Sequence, residues 1–399
     1  MIIEPVIQGV IARSAHPYGC RQAVREQIEY VRSAPPIQAG PKRVLILGAS
    51  SGFGLASRIA LTFGGAEADT VGVSFERGPS EKGVGSAGWY NNIFFRQEAE
   101  QAGRVATNII GDAFSPEVRD QVIKAIRTDL GGQVDLVVYS LATGVRPDPT
   151  TGELWRSVIK TVGEPLTGQT VNLETGQLDT VTVDAATPAE IEATVKVMGG
   201  DDWAAWIDTL LQAGVLAPGC RTVAYSYIGP AITYPIYHQG TLGRAKVHLH
   251  ATAADINRRL NAIGGGADVA VCKALVTKAS VFIPALGPYI LALFKVMKES
   301  GTHEGCIEQM QRLFQSRLYG QQHIGRDEQG LIRMDDWEMA EDVQLAVTEL
   351  IAMITPENFQ SVSDYAGYRE DFLKLNGFGL QDVDYHQEID FQELKVLEP

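Results

Sequence analysis

The sequence predicts an α/β chain, a Rossmann-type doubly wound parallel sheet with an N-terminal extension and an inserted hairpin and helix region. Three observations carry that expectation. From Lys42 onward, short β-branched runs alternate with longer stretches of helical apolar spacing, the rhythm of βαβ units. A glycine-rich turn, Gly48-Ala49-Ser50-Ser51-Gly52-Phe53-Gly54, follows the first such run and precedes helical spacing. The composition, 45% hydrophobic and 21% charged, is that of a chain that buries a core rather than one that stays disordered.

Taken in order, residues 1–40 form an extension ahead of the first unit, and the chain 1–399 reads as one enlarged domain. Arg43 to Leu47 (RVLIL) is apolar on both faces, as a central strand covered by helices on each side requires. Leu55 to Phe63 has helical spacing and stops at Gly64-Gly65, and Thr70 to Phe75 (TVGVSF) is the second strand. Arg104 to Ile110 supplies a third. Ser115-Pro116-Glu117 then opens a helix, with a capping hydroxyl, a proline in the first turn and an acid at the positive dipole end. Further strands are expected at Val134 to Ser140, Arg221 to Tyr225 and Ala267 to Leu275, with a helix starting near Leu242 between the last two. The interval 147–219 breaks the rhythm. Its turn-rich, β-prone text (GEPLTGQTVNLETGQLDTVTVD) and the helix start at Pro188-Ala189-Glu190 mark an insertion carrying a hairpin. Gly330 to Met334 adds a last strand, and Asp336 is placed to cap a helix running to about Met353.

The chain carries 34 Lys and Arg against 48 Asp and Glu, a net charge of −14. Binding to a phosphate backbone needs clustered cations, so nucleic acid is excluded as a partner. The N-terminus has no basic stretch ahead of a long apolar one. The longest apolar run, Val281 to Phe294, is broken by Pro284, Gly287 and Pro288 and falls short of the ~20 residues that span a bilayer. The expected location is the cytoplasm, without membrane insertion. Cys20, Cys220, Cys272 and Cys306 form no CxxC pair and are expected as reduced thiols. No metal site is expected, because His16 and Cys20 have no third and fourth ligand near them. His16, His303, His323 and His386 read as surface or core residues, and His248 and His250, two apart on one helix, cannot face a single ligand.

The glycine-rich turn sits where backbone N–H groups at a helix N-terminus cradle a pyrophosphate. Gly48, Ala49, Ser50, Ser51, Gly52 and Phe53 are therefore cofactor-binding candidates, and the spacing G-x3-G-x-G resembles the short-chain dehydrogenase/reductase form. Phe75 and Glu76 end the second strand, where an acid accepts hydrogen bonds from the adenosine ribose hydroxyls and repels a 2′-phosphate, so NADH is expected over NADPH. Arg77 works against that preference if it turns inward. Asp112 and Ala113 after the third strand are placed near the adenine, and Ser140 and Leu141 after the fourth line the cofactor path.

After the strand RTVAYSY come Tyr234-Pro235-Ile236-Tyr237 and, further on, Lys246. A tyrosine and a lysine leading into one helix beside a nucleotide fold point to acid catalysis during hydride transfer. Reduction of a double bond conjugated to a carbonyl gathers charge on the carbonyl oxygen, which a phenol stabilises, and a nearby ammonium tunes the phenol and holds the nicotinamide ribose. Tyr234 and Tyr237 are equal candidates on the residues alone. Ser226 could imitate the serine of a ketone reductase, although strand alternation turns it away from Tyr225 and Tyr227.

Tyr237 and Lys246 are spaced Tyr-x8-Lys, and on that spacing the whole chain resembles the FabV-type trans-2-enoyl reductases, an enlarged short-chain reductase family. The resemblance runs from MIIEP and AHPYGC through GASSGFG, GVSFER, GWYNN and AYSYIGP to KALVTKAS and LFKVMKESGTHEG. It implies NADH-dependent reduction of trans-2-enoyl thioesters on acyl carrier protein or CoA, the last reductive step of fatty-acid elongation, by a monomer. It also implies Tyr237 as proton donor, Lys246 as ribose lysine, Tyr227 as the residue touching the substrate carbonyl, and Leu275-Val276-Thr277 as the segment flanking nicotinamide and pyrophosphate. Phe53 stands where members of the family often carry Tyr, so any role of that hydroxyl is absent here.

The run Val281 to Phe294 follows that segment, and 281–330 is read as covering an acyl pocket, with Ile290 and Leu291 setting its depth. Since both carriers and this chain are anionic, a local cationic rim is expected, from Lys273, Lys278, Lys295 and Lys298. Two rival readings stand beside this one: a short-chain carbonyl reductase using Ser226 and Tyr234, and a catalytically silent dinucleotide sensor.

Overall fold

The computed structural model describes residues 1–81, 83–320 and 325–399. Seven parallel strands form one sheet: β1 (Arg43–Leu47), β2 (Asp69–Ser74), β3 (Ala106–Ile110), β4 (Val134–Tyr139), β5 (Leu216–Ser226), β6 (Gly266–Val271) and β7 (Ile332–Arg333). Their spatial order is β7-β6-β5-β4-β1-β2-β3. Chain order reverses between β1 and β4, where Leu47 lies opposite both Val73 and Tyr139, so the carboxyl ends there open a crevice.

The principal helices are α1 (Pro17–Ser33), α2 (Gly52–Phe63), α3 (Ala87–Gln101), α4 (Pro116–Asp129), α5 (Pro188–Met198), α6 (Asp201–Gln212), α7 (Thr241–Leu260), α8 (Gly287–Glu299), α9 (Cys306–Arg312) and α10 (Glu341–Met353). Alternate residues of β1 serve opposite layers. Val44 and Ile46 pack with α1, α2 and α9, and Leu45 and Leu47 with α4, α6 and α7, which is why RVLIL carries no polar face. Ser115 caps α4 by accepting from Val118 N at 3.2 Å, with Pro116 in the first turn, as its sequence signals.

The interval 147–219 does contain an antiparallel hairpin, Leu166–Asn172 with Gln177–Val183, and α5, which opens with a capping box between Thr187 and Glu190. Its last third differs from an insertion. Trp203, Trp206, Ile207 and Leu210 of α6 are buried under the sheet, and β5 itself begins at Leu216. The first 40 residues likewise contribute a layer, since Val24, Ile28 and Val31 of α1 join the core beside β1.

Two expected elements are shorter than the text suggested. The strand from Ala267 stops at Val271 instead of reaching Leu275, because side chains take the next N–H groups: Lys273 N donates to Gln309 Oε1 at 3.0 Å and Ala274 N to Glu338 Oε2 at 2.8 Å. The helix expected from Asp336 starts at Glu341. Met334 N and Asp335 N both donate to Val271 O, tying the chain to the end of β6, and Arg312 and Arg317 take the Asp336 carboxylate.

All four cysteines are free thiols. Among the described residues no helix is long and apolar enough to cross a membrane, and no cluster of three His, Cys, Asp or Glu side chains could hold a metal. His323 lies outside the described residues.

Candidate active site

The crevice is lined on one side by backbone. Gly48 turns the chain with φ +90°, and a Cβ there would stand 2.3 Å from Ser140 O, so only glycine fits between β1 and β4. Ser51 is the N-cap of α2 but makes no side-chain cap bond, which leaves first-turn N–H groups for an anion. Asn91 Nδ2 braces the turn by donating to Ser50 O at 2.9 Å. Ser50 Oγ donates to Glu76 Oε1 at 2.6 Å and Ser86 Oγ bonds the other carboxylate oxygen. Glu76 is therefore held by two serines between the turn and the start of α3, and is not the partner of the exposed Arg77. Phe75, 81% exposed, stands beside it. Asp112 is spent on its own turn, accepting from Phe114 N at 2.9 Å, and Ala113 packs in the core against α4.

The other side is built from side chains around a cavity of about 230 Å³, into which Ser140, Leu141, Tyr227, Tyr237, Lys246 and Thr277 project. Tyr237 lies in the turn before α7. Its carbonyl accepts from Gly240 N at 3.0 Å and Gly243 N at 2.9 Å, and a Cβ on Gly243 would collide with the carbonyl of His238 at 1.8 Å. That turn explains the long spacing: the tyrosine is folded back over the first turn of the helix that carries Lys246. The Tyr227 and Tyr237 rings meet edge to face, centroids 4.8 Å apart. Lys246 Nζ donates to Tyr225 O at 3.2 Å, and it has no other partner among the described residues, so two of its donors remain open to the cavity. Burial pushes the Tyr237 phenol well up from its ordinary range and pulls the Lys246 ammonium down to about 8.

Leu275 lines both this cavity and a second of about 480 Å³, which reaches Ser51 and Gly52. A half-free ammonium in the first cavity, open N–H groups at the turn that the second cavity reaches and a fixed carboxylate beside that turn fit a dinucleotide.

A family model described as the trans-2-enoyl-CoA reductase catalytic region matches residues 83–319, and one described as the NAD(P)H binding domain of trans-2-enoyl-CoA reductase matches residues 2–81. The enoyl-[acyl-carrier-protein] reductase [NADH] 2 of Photobacterium profundum is 69% identical, with 100% of each chain covered. The trans-2-enoyl-CoA reductase [NADH] of Clostridium beijerinckii is 51% identical, again over 100% of each. The crystal structure of the Clostridium acetobutulicum trans-2-enoyl-CoA reductase in complex with NADH superposes with a TM-score of 0.98 at 48% identity, covering 100% of each chain. This chain belongs to the trans-2-enoyl-CoA reductase family.

A third family model, described as an enoyl reductase FAD binding domain, matches residues 326–389. In this trans-2-enoyl-CoA reductase family member those residues do not fit a flavin. They hold no glycine-rich strand-to-helix turn, a Cβ at Gly367 would meet Lys298 and Asp364, and among the described residues none of their buried side-chain polar atoms lacks a partner.

Several sequence expectations need correction. Lys273 is 3% exposed, its ammonium bonded to Ala274 O and set over the Phe294 ring, so it is no part of a rim. Lys295 pairs with Glu299 and Lys298 with Asp364. Lys278 makes no ion pair among the described residues and, unlike Lys273, is not buried; it lines a cavity of about 210 Å³ with Arg13 and Arg77. Ile290 and Leu291 sit in the closed core of α8, whereas Ile283 and Leu286 face the reaction cavity. Tyr234 packs against the His238 ring away from that cavity, so the Ser226–Tyr234 pair of a carbonyl reductase is not assembled. Ser226 Oγ instead meets His250 Nε2 at 2.8 Å, and His250, held down to about 4 by burial, is a neighbour of the site that its spacing from His248 did not reveal.

Proposed function

We propose that the chain reduces the C2–C3 double bond of trans-2-enoyl thioesters with NADH, and that Tyr237 is its proton donor and Lys246 its ribose lysine. The observation that carries these roles is the convergence of the Tyr237 phenol, the Lys246 ammonium and Leu275 on one cavity. When bound, NADH supplies a hydride for substrate C3. Tyr237 donates its O–H to the thioester carbonyl oxygen, where negative charge gathers in the transition state. Burial supports that role by keeping the phenol protonated until the charge develops. The proton that ends at C2 comes from Tyr237, directly or through water. Lys246 offers its two open donors to the nicotinamide ribose and places positive charge beside the phenol.

Gly48, Ala49, Ser50, Ser51, Gly52 and Phe53 hold the pyrophosphate, Glu76 and Phe75 the adenosine ribose, Asp112 and Ala113 the adenine side, and Leu275, Val276 and Thr277 the nicotinamide end. Phe53, Ile159, Met198, Ile283 and Leu286 wall the acyl chain from water. The carrier is acyl carrier protein or CoA, and the reaction the last reductive step of fatty-acid elongation. We place the enzyme in the cytoplasm, where four free thiols persist, as a monomer. An assay of NADH oxidation on crotonyl-CoA beside acetoacetyl-CoA tests the reading: turnover of the first alone is expected, and turnover of the second alone would replace it with carbonyl reduction.

A further inference from the structure

The reaction cavity has a neighbour that the family's catalytic region, residues 83–319, does not contain. β7 runs along β6 for two residues, and Met334 N and Asp335 N close on Val271 O at 2.8 and 3.1 Å. The turn that follows drives Glu338, 0% exposed, beneath the wall formed by Tyr227. One carboxylate oxygen accepts from Tyr227 Oη at 3.0 Å and from Tyr289 Oη at 2.6 Å, and the other from Ala274 N at 2.8 Å. Gln344 Nε2 closes the network on Tyr289 Oη at 3.1 Å. Burial pushes the Glu338 carboxyl up, while Lys273 and the donated hydrogen bonds pull against it. A carboxylate with three donors around it is satisfied without a ligand, so its place beside the site is architectural rather than vacant.

The hydrogen-bond directions constrain the chemistry. A phenol has one proton. The Tyr227 proton is committed to Glu338, and Tyr227 packs edge-on against Tyr237, whose hydroxyl has no partner among the described residues. We propose that Glu338 is a positioning residue for the reduction: it holds Tyr227 against Tyr237 and fixes Ala274 at the head of the Leu275–Thr277 segment, leaving Tyr237, not Tyr227, with an O–H free for the substrate oxygen. The C-terminal segment thereby completes a reaction centre whose other parts lie before residue 320. This rests on the enoyl reductase reading above.

The test is a double-mutant cycle read in steady-state kinetics with crotonyl-CoA, alongside NADH binding by fluorescence and a thermal melt. Glu338→Gln and Tyr227→Phe should each lower kcat about tenfold, the scale of a lost hydrogen bond to a charged group, with the NADH dissociation constant within about twofold of the parent. The double variant should be no slower than the slower single, because both changes break one linkage. Multiplying losses, an unchanged kcat in Glu338→Gln, or a loss confined to NADH affinity would each overturn the proposal. Should Glu338→Gln fail to fold, the cycle of Tyr227→Phe with Tyr289→Phe takes its place, since both donate to the same oxygen. Non-additive kcat effects are expected there, and multiplying ones would overturn the proposal. A wild-type chain inactive on crotonyl-CoA would overturn the enoyl reductase reading instead.

Discussion

The two halves of the sheet line the crevice with different material. On the β1–β2 side it is chiefly backbone, the turn at Gly48 and the uncapped start of α2, with one carboxylate, Glu76, clamped by two serines. On the β5–β7 side it is side chains, drawn from Tyr227, Tyr237, Lys246, Ile283 and, behind them, Glu338. A pyrophosphate presents the same charge in every reaction, so a short local motif suffices to bind it. Stabilising charge that exists only in the transition state requires groups fixed at particular atoms, and those come from distant parts of the chain.

Five measurements would break or sharpen that contrast. The largest effect is expected on the side-chain half: Tyr237→Phe should lower kcat about 10³-fold, within the usual range for a general acid, while NADH still binds as in the parent. Equal loss of NADH affinity would erase the distinction between the halves. On the other half, Glu76→Ala should raise the ratio of kcat/KM for NADPH to that for NADH about tenfold by removing a like charge, with kcat on NADH little changed. Within the side-chain half, Ile283→Trp should cut kcat/KM for long acyl chains about tenfold relative to crotonyl-CoA. Leu291→Ala, in the closed core, should instead cost about 2–5 kcal/mol of stability with the chain-length profile intact. The smallest effect is in pH. Lys246 is held down to about 8, so its charge is present below that value and lost as pH rises through it. kcat/KM for NADH, which reports the free enzyme, should then be halved near pH 8, whereas an ordinary lysine would sustain it to about pH 10.

The same contrast decides what could be read without coordinates. Arg43 to Leu47, the glycine turn and Glu76 lie within one βαβ unit, so spacing alone locates them, and the sheet follows from repeating that unit. Tyr237 could not be separated from Tyr234 by spacing, because the choice depends on a turn folded over α7 and closed by Gly243. The family resemblance prefers Tyr237 on grounds the local text does not contain, and in the structure Tyr237, not Tyr234, lines the cavity. Lys273 looked like a surface cation because sequence shows charge but not depth, and α8 was misread because its apolar residues all point inward, so none distinguishes core from pocket. Glu338 carried no signal at all. One acid among several in the stretch Asp335 to Asp342 acquires meaning only when β7 brings it to Tyr227.

That strand also orders assembly in time. During synthesis the phosphate turn leaves the ribosome early, while Ile332 and Arg333 emerge late. A nascent chain ending before them already possesses the glycine turn, Glu76, Tyr237 and Lys246, yet has neither the clasp on the Val271 carbonyl nor the acid under Tyr227. Maturation of the reaction centre is therefore among the last events in the life of the growing polypeptide.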